Sequence, residues 1–266
     1  MLDPFVPEPA HMPVTGGAVP PPEDVVVDLR DLTKSFGEKH VLQGVDLALE
    51  RGTSAVVLGG SGTGKSVLTK HIVRLLRPDK GEVWVMGERM DLLEGDALDR
   101  KRLHIGYLFQ GGALFDSMTV YQNLQFFLDR HTRLSKGEKN DLIAESLESV
   151  NLPGVAQQFP AELSGGQRKR IGLARALVLK PDIILYDEPT TGLDPVSVRV
   201  VSELIVKLRD ERGISSISIT HDLLAARIIT DRAHFLFEGK IVAAGTLDEL
   251  RHSDHPAVQE FFEGEV

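Results

Sequence analysis

The sequence has no cysteine among its 266 residues, which excludes disulfides, thiol catalysis and iron–sulfur clusters. It also has no uninterrupted apolar run near the roughly 18 to 20 residues that a membrane-spanning helix requires. No basic residue precedes Arg30, whereas a secretory signal begins with positive charge. These absences lead us to expect a protein that stays in the cytosol.

An excess of positive charge is missing too. The formal net charge is -9 at pH 7 and the sequence pI is ≈ 5.5. Proteins that bind nucleic acid through its phosphates present a basic face, so we expect no nucleic-acid partner. The hydrophobic fraction of 42% and the charged fraction of 26% are typical of a globular protein with a sizeable buried core.

Proline marks the first boundary along the chain. Seven of the fourteen prolines lie in residues 1–22, where apolar periodicity is nearly absent, so we predict a disordered tail over residues 1–24. From residue 25 to about residue 245, short β-rich runs alternate with helical patterns, as in an α/β domain. Residues 246–266 contain a capping box at Thr246 and Glu249, followed by an apolar stripe, which predicts a C-terminal helical extension.

Strand and helix signals divide the α/β domain further. Between about residues 111 and 181 the strand signals vanish, which predicts an all-helical insertion. Two other helices are expected, one from Lys65 to Leu76 and one that begins after Asp194 as N-cap and ends at Gly213. The predicted strands are Val25 to Leu29, Ser54 to Leu58, Glu82 to Met86, Ile105 to Phe109, Ile183 to Tyr186, Ile214 to Thr220, and a hairpin of Phe235 to Phe237 with Lys240 to Ala243.

A glycine-rich loop provides the first candidate site. The stretch GGSGTGKS follows an apolar strand and opens a helix, which is the context that a phosphate-binding loop requires. Lys65 is expected to contact the β and γ phosphates of a nucleoside triphosphate, and Ser66 to bind Mg²⁺. The alternative is an ordinary glycine-rich turn. The predicted nucleotide contacts are Gly59, Gly60, Ser61, Gly62, Thr63, Gly64, Lys65, Ser66 and Val67.

Two adjacent carboxylates end another apolar strand, in the stretch IILYDEP. Burying them is unfavourable unless they have cationic partners or a chemical role. Asp187 is predicted to hold Mg²⁺, and Glu188 to orient or deprotonate an attacking water. The alternative is an acidic pair that caps a helix, which the phosphate-binding loop in the same chain disfavours.

A second helix start suited to an anion lies in the stretch ELSGGQRKRIGLARAL, where Ser164 and two glycines precede an amphipathic helix. The stretch resembles the signature of the ATP-binding cassette (ABC) ATPases, and the order of motifs from about residue 25 to 245 resembles that family as a whole. The resemblance implies an α/β fold: a RecA-like P-loop core with a mixed sheet, an N-terminal antiparallel β subdomain and an inserted α-helical subdomain.

The resemblance also implies roles for single residues. Phe36 would stack on adenine, Gln110 would reach the metal and the attacking water, and His221 would contact the γ-phosphate. A strand-edge Phe or a strand-end His is otherwise commonly structural. The implied catalytic residues are Glu188, His221, Gln110 and Lys65, the Mg²⁺ ligands are Ser66, Gln110 and Asp187, and the further ATP contacts are Ser164, Gly165, Gly166, Gln167 and the D-loop residue Asp194.

Partners follow from the same resemblance. In ABC ATPases the signature of one protomer closes over the phosphate-binding loop of another, which implies a homodimer that forms through ATP and reopens after hydrolysis. It also implies an integral membrane permease that docks in a groove after Gln110. Candidates for docking or for lining this groove, each of which could instead be core, are Leu114, Phe115, Met118, Val120, Tyr121 and Phe126.

Five stretches resemble the ATPase subunit of the Mla-type lipid transporters: FQGGALFDSMTVYQNL, GGSGTGKSVLTKHI, RKRIGLARAL, YDEPTTGLDP and SDHPAVQEFF. Many members carry Met at the position of Gln167. This likeness implies phospholipid cargo, a peripheral position on the inner face of the cell membrane and an MCE lipid-binding protein as an indirect partner. It also allows a small regulatory subunit. Alternatives are an amino acid or another small solute as cargo, or a soluble ABC ATPase that acts on DNA or ribosomes. A P-loop kinase or GTPase would leave the signature without a role.

Overall fold

The structure is a computed structural model that describes residues 14–264. Its strands are β1 (Val25–Phe36), β2 (Lys39–Glu50), β3 (Ser54–Leu58), β4 (Lys80–Val85), β5 (Glu88–Arg89), β6 (Ile105–Leu108), β7 (Ile183–Asp187), β8 (Ser215–Ile219), β9 (Arg232–Phe237) and β10 (Lys240–Gly245). Its α-helices are α1 (Lys65–Ile72), α2 (Gly95–Leu103), α3 (Val120–His131), α4 (Lys136–Ser149), α5 (Gly165–Leu177), α6 (Pro195–Arg212), α7 (Leu223–Ile229), α8 (Leu247–Arg251) and α9 (Pro256–Glu263), with a 3₁₀ turn at Pro160–Glu162.

The strands form two sheets. One is antiparallel with the order β2-β1-β4-β5, and the other has six strands in the order β10-β9-β3-β8-β7-β6. In the larger sheet the strands from β9 to β6 are parallel, whereas β10 runs antiparallel to β9. A mixed sheet beside a separate antiparallel sheet confirms the predicted fold class.

The larger sheet separates two hydrophobic cores. Successive residues of a strand point to opposite faces: Val56 and Leu58 of β3 belong to one core, and Ala55 and Val57 to the other. The first core lies under the helices that follow β6 and under the C-terminal helices. The second lies between the larger sheet and the antiparallel sheet. Because both faces of β3 are covered, all five of its residues are buried, as in the centre of a parallel sheet.

The predicted insertion of residues 111–181 contains α3, α4, the 3₁₀ turn and α5. Each α-helix begins with a capping box, in which the N-cap hydroxyl and the side chain at the third helical position each accept a backbone N–H bond. The N-cap residues are Thr119, Ser135 and Ser164. The apolar faces of these helices join the first core, so the insertion is packed onto the α/β sheet rather than folded apart from it.

The sequence prediction gives the wrong extent for α1 and β1, and it does not contain β2 or α2. Helix α1 ends at Ile72, because Arg74 has a positive φ of 57° that breaks the helix, and Leu75 is 54% exposed instead of lying on the buried stripe. Strand β1 extends to Phe36 and pairs with β2, a strand whose apolar residues alternate with polar ones. Helix α2 buries no residue completely, so it has no apolar periodicity to detect.

The two ends of the domain also contact the core. Of the predicted disordered tail, residues 1–13 lie outside the described residues. Residues 14–24 form neither helix nor strand, yet the carbonyls of Val14 and Val19 accept hydrogen bonds from Arg89 N (2.6 Å) and Arg30 Nη1 (2.8 Å). At the other end, the predicted capping box of Thr246 opens α8, and Phe261 of α9 packs against Phe235 with ring centroids 5.1 Å apart. Among residues 14–264, no helix has both the length and the apolar character needed to span a bilayer.

Candidate functional site

The candidate site lies where adjacent parallel strands end. Strands β3, β8, β7 and β6 are neighbours in the sheet, so the loops after their carboxyl ends share one edge, where α/β proteins commonly bind ligands. A cavity of ≈ 570 Å³ opens there. It contains most of the residues predicted to act within one chain, and its lining residues are Phe36, Lys39, Val41, Ser61, Gly62, Gly64, Lys65, Ser66, Val67, Gln110, Glu188 and His221.

The glycine-rich loop depends on glycine at two positions. Gly59 has φ 148°, and a Cβ there would lie 2.4 Å from the carbonyl oxygen of Leu236. Gly64, with φ 106°, is the N-cap of α1, and a Cβ there would lie 2.9 Å from Val41. A side chain at either position would therefore require the backbone to move, which explains the glycines in physical terms.

Lys65 folds back over this loop. Its Nζ donates to the carbonyl oxygens of Gly59 and Gly60, both at 2.8 Å. Burial lowers the pKa of Lys65, while the nearby carboxylates of Glu188 and Asp187 favour the charged form and oppose that shift. The ammonium group thus lies at the helix N-terminus where a phosphate would bind, and its present partners are neutral carbonyls that a phosphate can replace.

The predicted Mg²⁺ ligands come from three segments: Ser66 from the start of α1, Gln110 from the loop after β6 and Asp187 from the end of β7. Ser66 Oγ donates to Asp187 Oδ1 at 2.7 Å, and Gln110 lines the cavity with an exposed side chain. Within residues 14–264 no three His, Cys, Asp or Glu side chains cluster as a metal site. A hydroxyl, an amide and one carboxylate fit Mg²⁺, which prefers oxygen ligands and completes its shell with substrate phosphates and water.

Tyr107 supports Asp187, and sequence reasoning did not find it. Its hydroxyl donates to Asp187 Oδ2 at 3.3 Å and lies 2.9 Å from Thr69 Oγ1. Burial raises the pKa of Tyr107, so the phenol stays protonated and can donate. A tyrosine next to a buried leucine on a strand gives no sequence signal for this role, because the contact joins β6 to the end of β7.

Glu188 is held in a strained and well-bonded position. It has a positive φ of 52°, is 8% exposed, and its N–H donates to the carbonyl of Ile219 at 2.9 Å. Its carboxylate accepts from Thr191 Oγ1 at 2.8 Å and lies 3.0 Å from His221 Nδ1. Positive φ at a residue other than glycine is concentrated at functional sites, where the surrounding structure maintains it.

The signature residues lie outside this cavity. Ser164 is exposed at the start of α5, and its Oγ accepts from Gln167 N at 3.2 Å. Asp194 is exposed at the start of α6, where Ser197 and backbone N–H bonds lower the pKa of its carboxyl. The two helix starts are neighbours, since a Cβ on Gly166 would lie 3.2 Å from Ser197 Oγ. The structure thus brings together the predicted contacts of a second nucleotide-binding surface, but at a distance from Lys65. These residues are Ser164, Gly165, Gly166, Gln167 and Asp194.

The candidate docking residues differ in exposure. Val120 is fully buried in the first core, so of its two alternatives it is a core residue and not a docking residue. Leu114 and Tyr121 are partly buried against that core. Phe115 and Phe126 are 41% and 40% exposed, with ring centroids 5.3 Å apart. Among the six candidates, these two rings form the apolar pair that is most exposed to solvent.

Known proteins resemble this chain over most of its length. The profile of the ABC transporter family matches residues 42–191. The chain is 41% identical to protein TRIGALACTOSYLDIACYLGLYCEROL 3, chloroplastic, of Arabidopsis thaliana, over 91% of this chain and 75% of that protein. It is 42% identical to the probable ribonucleotide transport ATP-binding protein mkl of Mycobacterium leprae, over 95% and 73%. It is 36% identical to the intermembrane phospholipid transport system ATP-binding protein MlaF of Escherichia coli K12, over 90% and 89%.

A solved structure shares the fold. It is the dimeric, post-hydrolysis state of the ATP-binding cassette MJ0796 bound to ADP and Pi, with a TM-score of 0.76 and 33% sequence identity. The match covers 83% of this chain and 98% of that one. The similarity therefore extends across the two sheets and the inserted helices, and not only across the phosphate-binding loop.

Proposed function

This chain belongs to the ABC transporter family as an ATP-hydrolysing subunit, and from that premise we propose that it powers phospholipid transport between membranes. The ATPase part is carried by one observation: Lys65, Ser66 and the Glu188–His221 pair line one cavity. Ser66 in turn donates a hydrogen bond to the carboxylate of Asp187. The cargo is supported by the 36% identity to MlaF, whose name states intermembrane phospholipid transport.

Binding begins at the glycine-rich loop. Lys65 would exchange the carbonyls of Gly59 and Gly60 for phosphate oxygens, and the N–H groups at the start of α1 would surround the same phosphates. The ring of Phe36 is 47% exposed at the edge of the cavity, where a base can stack on it. Ser66, Gln110 and Asp187 would hold Mg²⁺, which neutralises phosphate charge when it is bound.

Hydrolysis would use the buried carboxylate. Glu188 would accept the proton of the attacking water while Thr191 keeps its carboxylate oriented. His221 now contacts Glu188 and lies at the cavity wall, so it can donate to the γ-phosphate after a small rearrangement. The water oxygen bonds to the γ-phosphorus as the bond from that phosphorus to the β,γ-bridging oxygen breaks. ADP leaves with the electrons of that bond, and the proton of the water goes to Glu188.

The site would be completed by a second copy. The exposed N-terminus of α5, with Ser164 as N-cap, offers phosphate-binding N–H groups but lies outside the cavity of its own chain. Closure of two copies over two ATP molecules would place each Ser164 on the partner's nucleotide. Dimerisation would then depend on ATP, and hydrolysis would reopen the dimer.

The membrane partners are also proposals. We propose that Phe115 and Phe126 contact a cytoplasmic helix of an integral permease, which would hold the chain at the inner face of the membrane. An MCE lipid-binding protein would be an indirect partner, and a small regulatory subunit a direct one. In each case the ATPase itself does not touch the cargo.

Reconstitution tests the cargo. The chain is coexpressed with its permease, purified in detergent and placed in vesicles that contain fluorescent phospholipid, with the Glu188→Gln chain as the matched control. We expect ATP-dependent lipid movement only with the unchanged chain. Because mkl is named for ribonucleotide transport, the same vesicles are loaded with labelled nucleotide and with amino acids. Movement of either solute without lipid movement would refute the phospholipid proposal.

A further inference from the structure

A buried lysine joins the signature helix to the catalytic loops of the same chain. Lys169 lies on α5, and its Nζ donates to the carbonyl oxygen of Gln110 and to that of Glu188, the latter at 3.0 Å. Its side chain is buried, with the residue 7% exposed. One cation therefore holds the backbone at both Gln110 and Glu188. These residues are 78 positions apart in the sequence but line the same cavity.

The contact is more than general packing. An ammonium that leaves water requires hydrogen bonds, and charge-assisted bonds to carbonyls are stronger than neutral ones. Burial lowers the pKa of Lys169, whereas Glu188 and Asp187 favour its charged form. The lysine is thus bonded where the backbone of Glu188 takes its positive φ, so it opposes relaxation of that residue to an ordinary conformation.

The rest of α5 reinforces this arrangement. Arg175 donates to the carbonyls of Ala113 and Gly112, the latter at 3.1 Å. Gly172 lies between the two cations, and a Cβ there would be 2.8 Å from Leu108 Cδ1 and 3.1 Å from Gly112 Cα. The close approach of α5 brings both cations within reach of the segment after β6. Of the two, only Lys169 also contacts Glu188.

We infer that Lys169 is a positioning residue for hydrolysis at the ATP site of its own chain, because it fixes the backbone of both Gln110 and Glu188. It does not contact the reacting atoms. The inference rests on the proposed role of Glu188 as the base. It predicts that loss of Lys169 slows the chemical step without removing ATP, because the Lys65 loop is not among its contacts.

The first test compares purified Lys169→Met with a matched control, Arg170→Met. Arg170 is the next residue on α5 and donates to the carbonyls of Val150 (3.2 Å) and Asn151 (3.4 Å), which directly follow α4 and do not line the cavity. We expect Lys169→Met to lower kcat by roughly tenfold to a hundredfold, with the Kd for ATP changed by less than about threefold. Lys169→Arg, which can still donate to carbonyls, should recover part of kcat. Equal losses in both Met variants, or an unchanged kcat in Lys169→Met, would overturn the inference.

The second test asks which chain needs the lysine. A heterodimer is purified through two different tags, and one of its chains carries Ser164→Arg. Only one composite site then stays intact. It consists of the phosphate-binding loop and Glu188 of the Ser164→Arg chain and the signature of the other chain. Lys169→Met in the chain that supplies Glu188 should abolish most of the remaining turnover, whereas the same change in the chain that supplies Ser164 should have little effect. The opposite order would show that Lys169 only supports the signature helix. If the heterodimer that carries only Ser164→Arg is inactive, the composite-site proposal fails. The comparison of Lys169→Met with Arg170→Met then still tests the role of Lys169.

Discussion

Replacement of Glu188 by Gln tests the chemistry of the cavity with the smallest change of shape. The carboxylate is 8% exposed, accepts from Thr191 at 2.8 Å and lies 3.0 Å from His221. A glutamine keeps an oxygen that Thr191 can bond, and its backbone can keep the positive φ. The change therefore removes basicity and charge but leaves the packing nearly intact.

The expected magnitude follows from that difference. A positioned general base contributes about 10²- to 10⁴-fold to a rate, which corresponds to roughly 3 to 5 kcal/mol of the activation barrier. We expect Glu188→Gln to lower kcat by about that factor and to leave the binding of ATP intact, because Lys65 and the glycine loop are unchanged. A chain that binds ATP without cleaving it should accumulate as the ATP-bound dimer.

The assay combines phosphate release with size-exclusion chromatography in the presence of ATP. Glu88→Gln is the matched control, because Glu88 is also 8% exposed and its carboxylate pairs with Lys101 at 2.9 Å, outside the nucleotide cavity. The control should lose some stability but keep its turnover. Normal hydrolysis by Glu188→Gln would refute the assigned base, and an equal loss in both variants would show that the effect is general destabilisation.

The remaining predictions concern three other regions. Ser164→Arg should abolish hydrolysis yet keep ATP binding, as measured by turnover and by nucleotide titration; full activity in an isolated monomer would contradict the composite site. Burial and Arg232 lower the pKa of His234 to about 4, so the folded chain resists protonation below the unfolded pKa of about 6.5. The free energy of unfolding should therefore fall by about 3 kcal/mol as the pH drops from 6.5 to 4. Chemical denaturation of His234→Leu should show a smaller fall over the same pH range. The double change Phe115→Ser and Phe126→Ser should weaken permease copurification without changing the melting temperature; intact copurification would rule out this surface.

Local patterns predicted the nucleotide motifs because each motif is short and adjoins a strand or a helix start. The loop after β3, the two acids at the end of β7 and the N-cap of α5 can each be recognised from a few consecutive residues. Parallel strands then bring their carboxyl ends to one edge, so Lys65, Gln110 and Glu188 meet in one cavity as a consequence of topology.

The supporting contacts could not be read in the same way. Lys169 and Arg175 have basic side chains on an amphipathic helix, a pattern that predicts a solvated face. They are buried because Gly172 lets α5 approach the segment after β6, which is about 60 residues away in the chain. Tyr107 meets Asp187 only after β6 and β7 pair. Helix α2 could not be predicted for a different reason. It has no fully buried residue and therefore no apolar periodicity in its sequence.

The central claim, that each ATP is held by Lys65 of one copy and Ser164 of another, is tested most directly by mixing two inactive chains. Lys65→Ala and Ser164→Arg are each purified alone and then combined in equal amounts with ATP. In the mixed dimer, the intact loop of the Ser164→Arg chain faces the intact signature of the Lys65→Ala chain. If half of the dimers are mixed and one of their two sites is intact, turnover should recover to about a quarter of the unchanged protein. If the mixture stays as inactive as its two components, while exchange of chains is demonstrated by their tags, the shared site does not exist.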